Sequence, residues 1–257
     1  MRNLALVFIF LVTSLLSLTM FVGVEKINTR PILKTTHPHL YGNDTVPIDI
    51  ISLTVFYFVP KDAVAKKQDN WKEITEEHLK KLLAFHDIQF EKTSTINYTF
   101  FPEIIVGDKT TEQYESLFKR DDDHDALIPV KEEISRRVLD TTGDLHAKLE
   151  NNPNLSARKV YLVVFEGNGG AGNDTFALVS RSYLTDPLYK ENGTTFLAHE
   201  FYHTLGLLDN YTTSIVSYSE KEQKTISLVT NKDIMGQVNV PLSHTYIDPE
   251  TLRKMGL

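Results

Sequence analysis

Twelve consecutive residues concentrate the reactive side chains of this chain: Ala198-His199-Glu200-Phe201-Tyr202-His203-Thr204-Leu205-Gly206-Leu207-Leu208-Asp209. Residues four apart share a face of a helix, so His199 and His203 can aim their imidazoles at one point. Two neutral imidazole nitrogens at about 2.0–2.1 Å form half of a tetrahedral zinc site. Glu200 follows the first of them and can reach a metal-bound water without ligating the metal. A carboxylate placed there can accept the proton of an attacking water and pass it to a leaving amine. Gly206 suits the left-handed residue that ends a helix. The chain can then swing Asp209 back as a third ligand, leaving the fourth position open for water. The alternative third ligand is a carboxylate further on, Glu220 or Glu222, with Asp209 then standing behind the ligands. The bland alternative is an amphipathic helix with two satisfied histidines and a glycine cap.

The pattern HExxHxxGxxD resembles that of the metzincin zinc metallopeptidases, whose third ligand is His or, as in snapalysin-like enzymes, Asp. Metzincins also carry a methionine turn below the metal. Asp233-Ile234-Met235-Gly236 supplies one, with Met235 placed 26 residues after Asp209. Met255 lies too near the end of the chain to fit. The resemblance implies that His199, His203 and Asp209 bind Zn2+, that Glu200 is the general base, and that Met235 forms an apolar floor. It further implies that the last strand before the active-site helix, Thr175-Phe176-Ala177-Leu178-Val179-Ser180, is the edge that pairs with a peptide substrate by β-augmentation. Gly167 to Gly172 is then the loop before it. The chain departs from the family where many members have a tyrosine two residues after the methionine; here Gln237 stands there. Tyr246 and His244 are the candidate oxyanion donors further on.

These residues need elements to hold them. Ile51–Val59 is rich in β-branched and aromatic residues and ends at Pro60, which marks a buried strand. Trp71–Phe85 has helical apolar spacing. Ile96–Val106 reads as a strand interrupted by Pro102; Thr110–Lys119 and Val130–Leu149 read as helices. Lys159–Phe165 and Phe176–Ser180 read as strands, and Thr195–Leu207 as the active-site helix. This order predicts an α+β fold with an α/β-like upper half: a twisted mixed sheet with backing helices. The upper half spans 48–206, and a smaller, mostly irregular lower half spans 207–257. His78, His86 and His146 fall on helices as surface or packing residues.

The rest of the chain bounds the context. Residues 1–24 are nearly continuously apolar after Met1-Arg2-Asn3 and read as a signal anchor or signal peptide. Residues 25–47 read as a polar tether in which His37 and His39 are solvated. The expected location is outside the cytoplasm, secreted or held to a membrane by this segment. The 257 residues carry a net charge of −7, which argues against nucleic acid as a partner. No cysteine is present, so thiolate metal sites, disulfides and cysteine-based latency are excluded. Asp121–Glu132 has Ca2+-loop spacing, but Ala126 replaces the glycine of the sharp turn; a solvated acidic loop is the preferred reading. Six N-x-S/T sequons, at Asn43, Asn97, Asn154, Asn173, Asn192 and Asn210, read mostly as chance, because glycans at Asn173 and Asn210 would crowd the cleft. The function expected is peptide-bond hydrolysis by a zinc metallopeptidase. The alternatives are a zincin of another clan and a non-catalytic surface binding protein on a peptidase-like fold.

Overall fold

The computed structural model describes residues 37–116, 126–139, 158–210, 213–219, 222–227, 232–236 and 238–257. The apolar run at 1–24 lies outside the described residues, as do Asp121–Asp125, His146, Asn154, Glu220 and Gln237. No helix among the described residues is long and apolar enough to cross a membrane.

Residues 37–47, expected as the end of a tether, are instead built into the fold. They form the antiparallel pair β1 (His39–Leu40) and β2 (Asn43–Pro47). The His39 N–H donates to Met255 O at 2.9 Å, and the Tyr41 N–H donates to Leu205 O at 3.0 Å. Leu40 and Tyr41 pack on the core. These partners lie far downstream, so a polar, proline-bearing stretch looked aperiodic.

The chain then builds a three-layer α+β unit. Strand β3 (Ile50–Val59) leads through helix α1 (Trp71–Gln89) to the parallel strand β4 (Thr95–Val106). Helix α1 buries Trp71, Thr75, His78, Leu79, Leu82, Phe85 and His86 as one stripe. Strand β4 is continuous through Pro102, but its register with β3 shifts between Val55 and Tyr57. Proline has no N–H for the ladder, and the bulge absorbs the gap. Two helices follow, α2 (Thr111–Ser116) and α3 (Leu127–Ile134), the latter continuing as a π-helical turn over Ser135–Leu139. The described half of the acidic Ca2+-type spacing is therefore helix, with Pro129 in the first turn, where a missing N–H is harmless.

Strands β5 (Arg158–Phe165), β6 (Gly170–Gly172) and β7 (Phe176–Ser180) complete a sheet of order β4-β3-β5-β7-β6. All pairings are parallel except β6–β7. Short helix α4 (Arg181–Thr185) then leads to α5 (Gly193–His203). The lower half is less irregular than expected: β8 (Thr213–Ser219) and β9 (Glu222–Ser227) pair as a hairpin, and α6 (Pro249–Lys254) closes the chain.

Side-chain alternation divides the core in two. Leu53, Val55, Tyr57, Leu162, Val164, Ala177 and Val179 face α1 and α5. Phe56, Phe58, Val163, Phe165, Phe176 and Leu178 face α3. Parallel strands covered on both faces read as unbroken apolar runs, as β3 and β5 do. Two buried histidines join α1 to the segment that carries the motif. His78 Nδ1 lies 2.8 Å from Thr194 Oγ1, and its Nε2–H donates to Leu184 O at 3.0 Å. His86 Nε2 lies 2.9 Å from Ser94 Oγ and its Nδ1 3.3 Å from Tyr202 Oη.

Candidate metal centre

Helix α5 presents His199 and His203 one turn apart on one face, with Leu197, Ala198, Phe201 and Tyr202 buried around them. The helix closes at Gly206, whose φ is 86°. The Gly206 N–H donates to His203 O at 2.9 Å and the Leu207 N–H to Tyr202 O at 3.3 Å, the paired bonds of a Schellman close. Arg158 donates through Nη2 to Thr204 O at 3.1 Å, placing a cation at the negative end of the helix. The same turn brings the Leu207 carbonyl 2.8 Å from His203 Nδ1.

Each imidazole is held at Nδ1 by a backbone carbonyl. His199 Nδ1–H donates to Ile234 O at 2.8 Å and His203 Nδ1–H to Leu207 O. This leaves both Nε2 atoms aimed at each other, 3.3 Å apart. Asp209 Oδ1 lies 3.1 Å from His199 Nε2 and 3.4 Å from His203 Nε2. On a tetrahedral ion with bonds of about 2.0–2.1 Å, ligand atoms stand about 3.3–3.4 Å apart. The three atoms therefore fit one such ion. His199, Glu200 and His203 also offer ligand-type atoms within 4.8 Å of one another. However, Glu200 Oε2 is 4.0 Å from His203 Nε2, beyond the edge of the triangle. Asp209 suits the ligand position, and Glu200 the position beside it.

The electrostatics favour a positive charge at this point. Burial pushes the His199 imidazole down, but the hydrogen bond to Asp209, the charge of Glu200 and the Ile234 carbonyl carry it up to about 9. Burial likewise opposes the Asp209 carboxylate, yet the two imidazoles hold it well below its ordinary range.

The turn around Met235 lies against both the helix that carries the histidines and the segment that carries Asp209. Asp233–Gly236 is a tight turn with the Gly236 N–H donating to Asp233 O at 2.9 Å, and Met235 is buried. Besides Ile234 O on His199, the turn receives the Asn210 N–H at Met235 O, 2.8 Å. Asp233, also buried, accepts from Asn210 Nδ2 at 3.0 Å and from the Met235 N–H at 3.3 Å. Sequence reasoning missed Asp233 and the role of Asn210. The signal available was an Asp opening a tight turn, where its carboxylate bonds the main chain two residues on. His244 is exposed in a 3-10 turn, Leu242–His244. Tyr246 pairs its backbone with Lys232 and Ile234, and its ring is partly exposed. The contacts of the cluster given above run to neither. Glu222 lies in the β8–β9 hairpin.

The substrate-edge expectation needs correction. Phe176–Ser180 is bonded on both sides, to β5 and to β6, and all five residues are buried. Thr175, just before it, gives its carbonyl to the Tyr161 N–H at 2.8 Å. The edge on this side of the sheet is β6, from the stretch expected as a loop, and β4 is the opposite edge. A three-residue Gly-Ala-Gly strand has no β-branched residue to announce it. Bonds from Ser180 N–H to Gly169 O and from Asn173 N–H to Phe176 O bracket the ladder. Antiparallel alternation then turns the N–H and C=O of Gly170 and Gly172 to the outer side. Among the described residues no strand pairs with that side.

In comparisons with known proteins, no family model and no curated protein matches this chain. Among solved structures, it is similar to catalytically inactive OgpA from Akkermansia muciniphila, in complex with an O-glycopeptide (glycodrosocin) substrate. The identity is 14%, the TM-score is 0.43, and the match covers 79% of this chain and 58% of that one.

Proposed function

We propose that this chain is a zinc-dependent metalloendopeptidase. The observation that carries the reading is the triangle of His199 Nε2, His203 Nε2 and Asp209 Oδ1, with separations of 3.1–3.4 Å and the Glu200 carboxylate set just outside it. His199, His203 and Asp209 would hold the ion. Zinc, when bound, supplies the positive charge that polarises the scissile carbonyl and acidifies water. Glu200 takes the proton of the attacking water and returns it to the leaving nitrogen. Gly170 and Gly172 offer main-chain donors and acceptors that align an extended peptide along the cleft. The backbone carbonyls on Nδ1 keep both imidazoles in the tautomer that leaves Nε2 to the ion. Residues 1–24 export the chain and either remain as its membrane anchor or are removed; N-terminal sequencing of the purified protein decides between them.

The test uses the full-length chain, metal analysis and a quenched peptide library. One zinc per chain and cleavage abolished by a chelator are expected. Glu200→Gln should keep its zinc and lose about 10²–10⁴-fold in kcat, the usual contribution of a general base. A zinc-loaded chain with no chelator-sensitive cleavage would overturn the reading, and an active Glu200→Gln protein would overturn the role given to Glu200.

A further inference from the structure

The edge strand β6 reads Gly170-Ala171-Gly172, and both glycines meet α5. A Cβ built on Gly170 would stand 2.8 Å from Glu200 Oε1, and the next nearest atoms, at 3.4 Å, also belong to the Glu200 side chain. A Cβ built on Gly172 would stand 2.5 Å from the Glu200 carbonyl oxygen and 2.6 Å from His203 Cβ. Separations under 3.0 Å force something to shift: at Gly170 the flexible end of the Glu200 side chain can move at little cost, whereas at Gly172 the obstructing atoms are backbone and Cβ, which cannot. Ala171, between them, packs toward the other core. Side chains are thus missing only on the face that meets the motif, as a close approach of two backbones demands.

We propose that Gly170 and Gly172 are positioning residues: their bare Cα atoms let the edge strand lie directly on α5, so that Gly170 bounds the seat of the Glu200 carboxylate and Gly172 that of the His203 ring. The roles of those two side chains rest on the peptidase reading above; the contact itself does not. The same two glycines turn their N–H and C=O outward. One residue therefore references both the peptide backbone and the proton-transferring carboxylate, and the distance between them is set without any intervening side chain. A methyl group at Gly170 would leave the outward N–H and C=O in place while displacing Glu200. A methyl group at Gly172 would press on the backbone and Cβ of His203.

The experiment is a set of alanine substitutions in the full-length chain. Gly170→Ala is expected to lower kcat about 10- to 100-fold, as misplacement of a reacting group does, with KM and zinc affinity unchanged. Gly172→Ala is expected to weaken zinc about 10- to 100-fold in chelator competition. A double-mutant cycle reads the contact without activity. Gly170→Ala should lower Tm by about 2–4 °C beside Glu200, and leave Tm unchanged in a Glu200→Ala background, where the obstructing atoms are gone. A Gly170→Ala protein that folds only in the Glu200→Ala background supports the contact equally. Equal losses of Tm in both backgrounds, unfolding in both, or unchanged kcat would overturn the role of Gly170. Unchanged zinc affinity in Gly172→Ala would overturn that of Gly172. If the unaltered chain binds zinc and cleaves no peptide, the peptidase reading fails, while the cycle and the zinc affinities still decide the contacts.

Discussion

His199 and His203 are oriented by carbonyls from two different segments, Ile234 and Leu207. Main chain sets their tautomers, so the site is perturbed by moving those segments rather than by removing a side-chain partner. Asp233 is the side chain that pins the first segment, since it bonds Met235 N and reaches across to Asn210. Asp233→Ala should therefore weaken zinc about 10- to 100-fold in chelator competition, as loss of an outer partner of a ligand typically does. The kcat of the zinc-saturated variant should stay near that of the parent; unchanged affinity would show that the turn holds itself. Asn210 makes the same contact from its side, donating through Nδ2. At this scale the sequence was legible where chemistry is local. Histidines four apart on a helix and a glycine three residues later dictate their own geometry. Asp233 was not legible, because its partner lies in a segment that only the closed fold brings near.

Gly206 does two tasks at the end of α5. Its left-handed backbone closes the helix, and its bare Cα admits the β1–β2 segment, since a Cβ there would stand 2.7 Å from Tyr41 O. Gly42 has a similar φ, 75°, with nothing within 4 Å of such a Cβ. The two glycines make a matched pair. Alanine at either carries the left-handed cost of about 1–2 kcal/mol. Gly42→Ala should lower Tm and leave zinc affinity alone. Gly206→Ala should lower Tm further and weaken zinc, because Leu207 O and Asp209 ride on the same turn. Equal behaviour of the two variants would separate the turn from the site. The helix that carries the two histidines and the main strands were legible from periodicity and apolar runs. β6 and the β1–β2 pair were not: β6 pairs with Leu178 and Val179 close by in sequence, but its Gly-Ala-Gly composition hides a strand, whereas the β1–β2 pair gains its definition from Met255 and Leu205, far downstream.

For the whole molecule, buried histidines link stability to pH. Burial holds the His86 imidazole down at about 3 and also lowers His78. An unfolded chain takes up those protons near pH 6.5, while the native state refuses them. Stability is therefore full above about pH 6.5 and falls as pH falls, approaching about 1.4 kcal/mol per pH unit for His86, with His78 adding in the same direction. The other two shifts act elsewhere. The raised His199 gives stability that is complete below about pH 6.5 and lost as pH rises through about 9. The lowered Asp209 gives stability present above about pH 3.9 and lost below it. Urea unfolding between about pH 6.5 and pH 4, with chelator present, should thus show a slope that His86→Gln reduces. An unaltered slope would mean that native His86 accepts the proton.

The division of the core by strand parity has a consequence for how such a chain can diverge. Odd-numbered positions of β3, such as Val55 and Tyr57, press on the layer that holds α1 and α5, whereas Phe56 and Phe58 press only on the layer that holds α3. The sheet acts as a bulkhead. Substitutions behind it on β3 should cost stability before they touch the histidines, whereas Ala171 and Leu178, though they pack on the same side, carry the strand that lies on α5. Positions in front of it are bound to the histidines, and their drift is limited to exchanges that leave the seat of α5 unmoved.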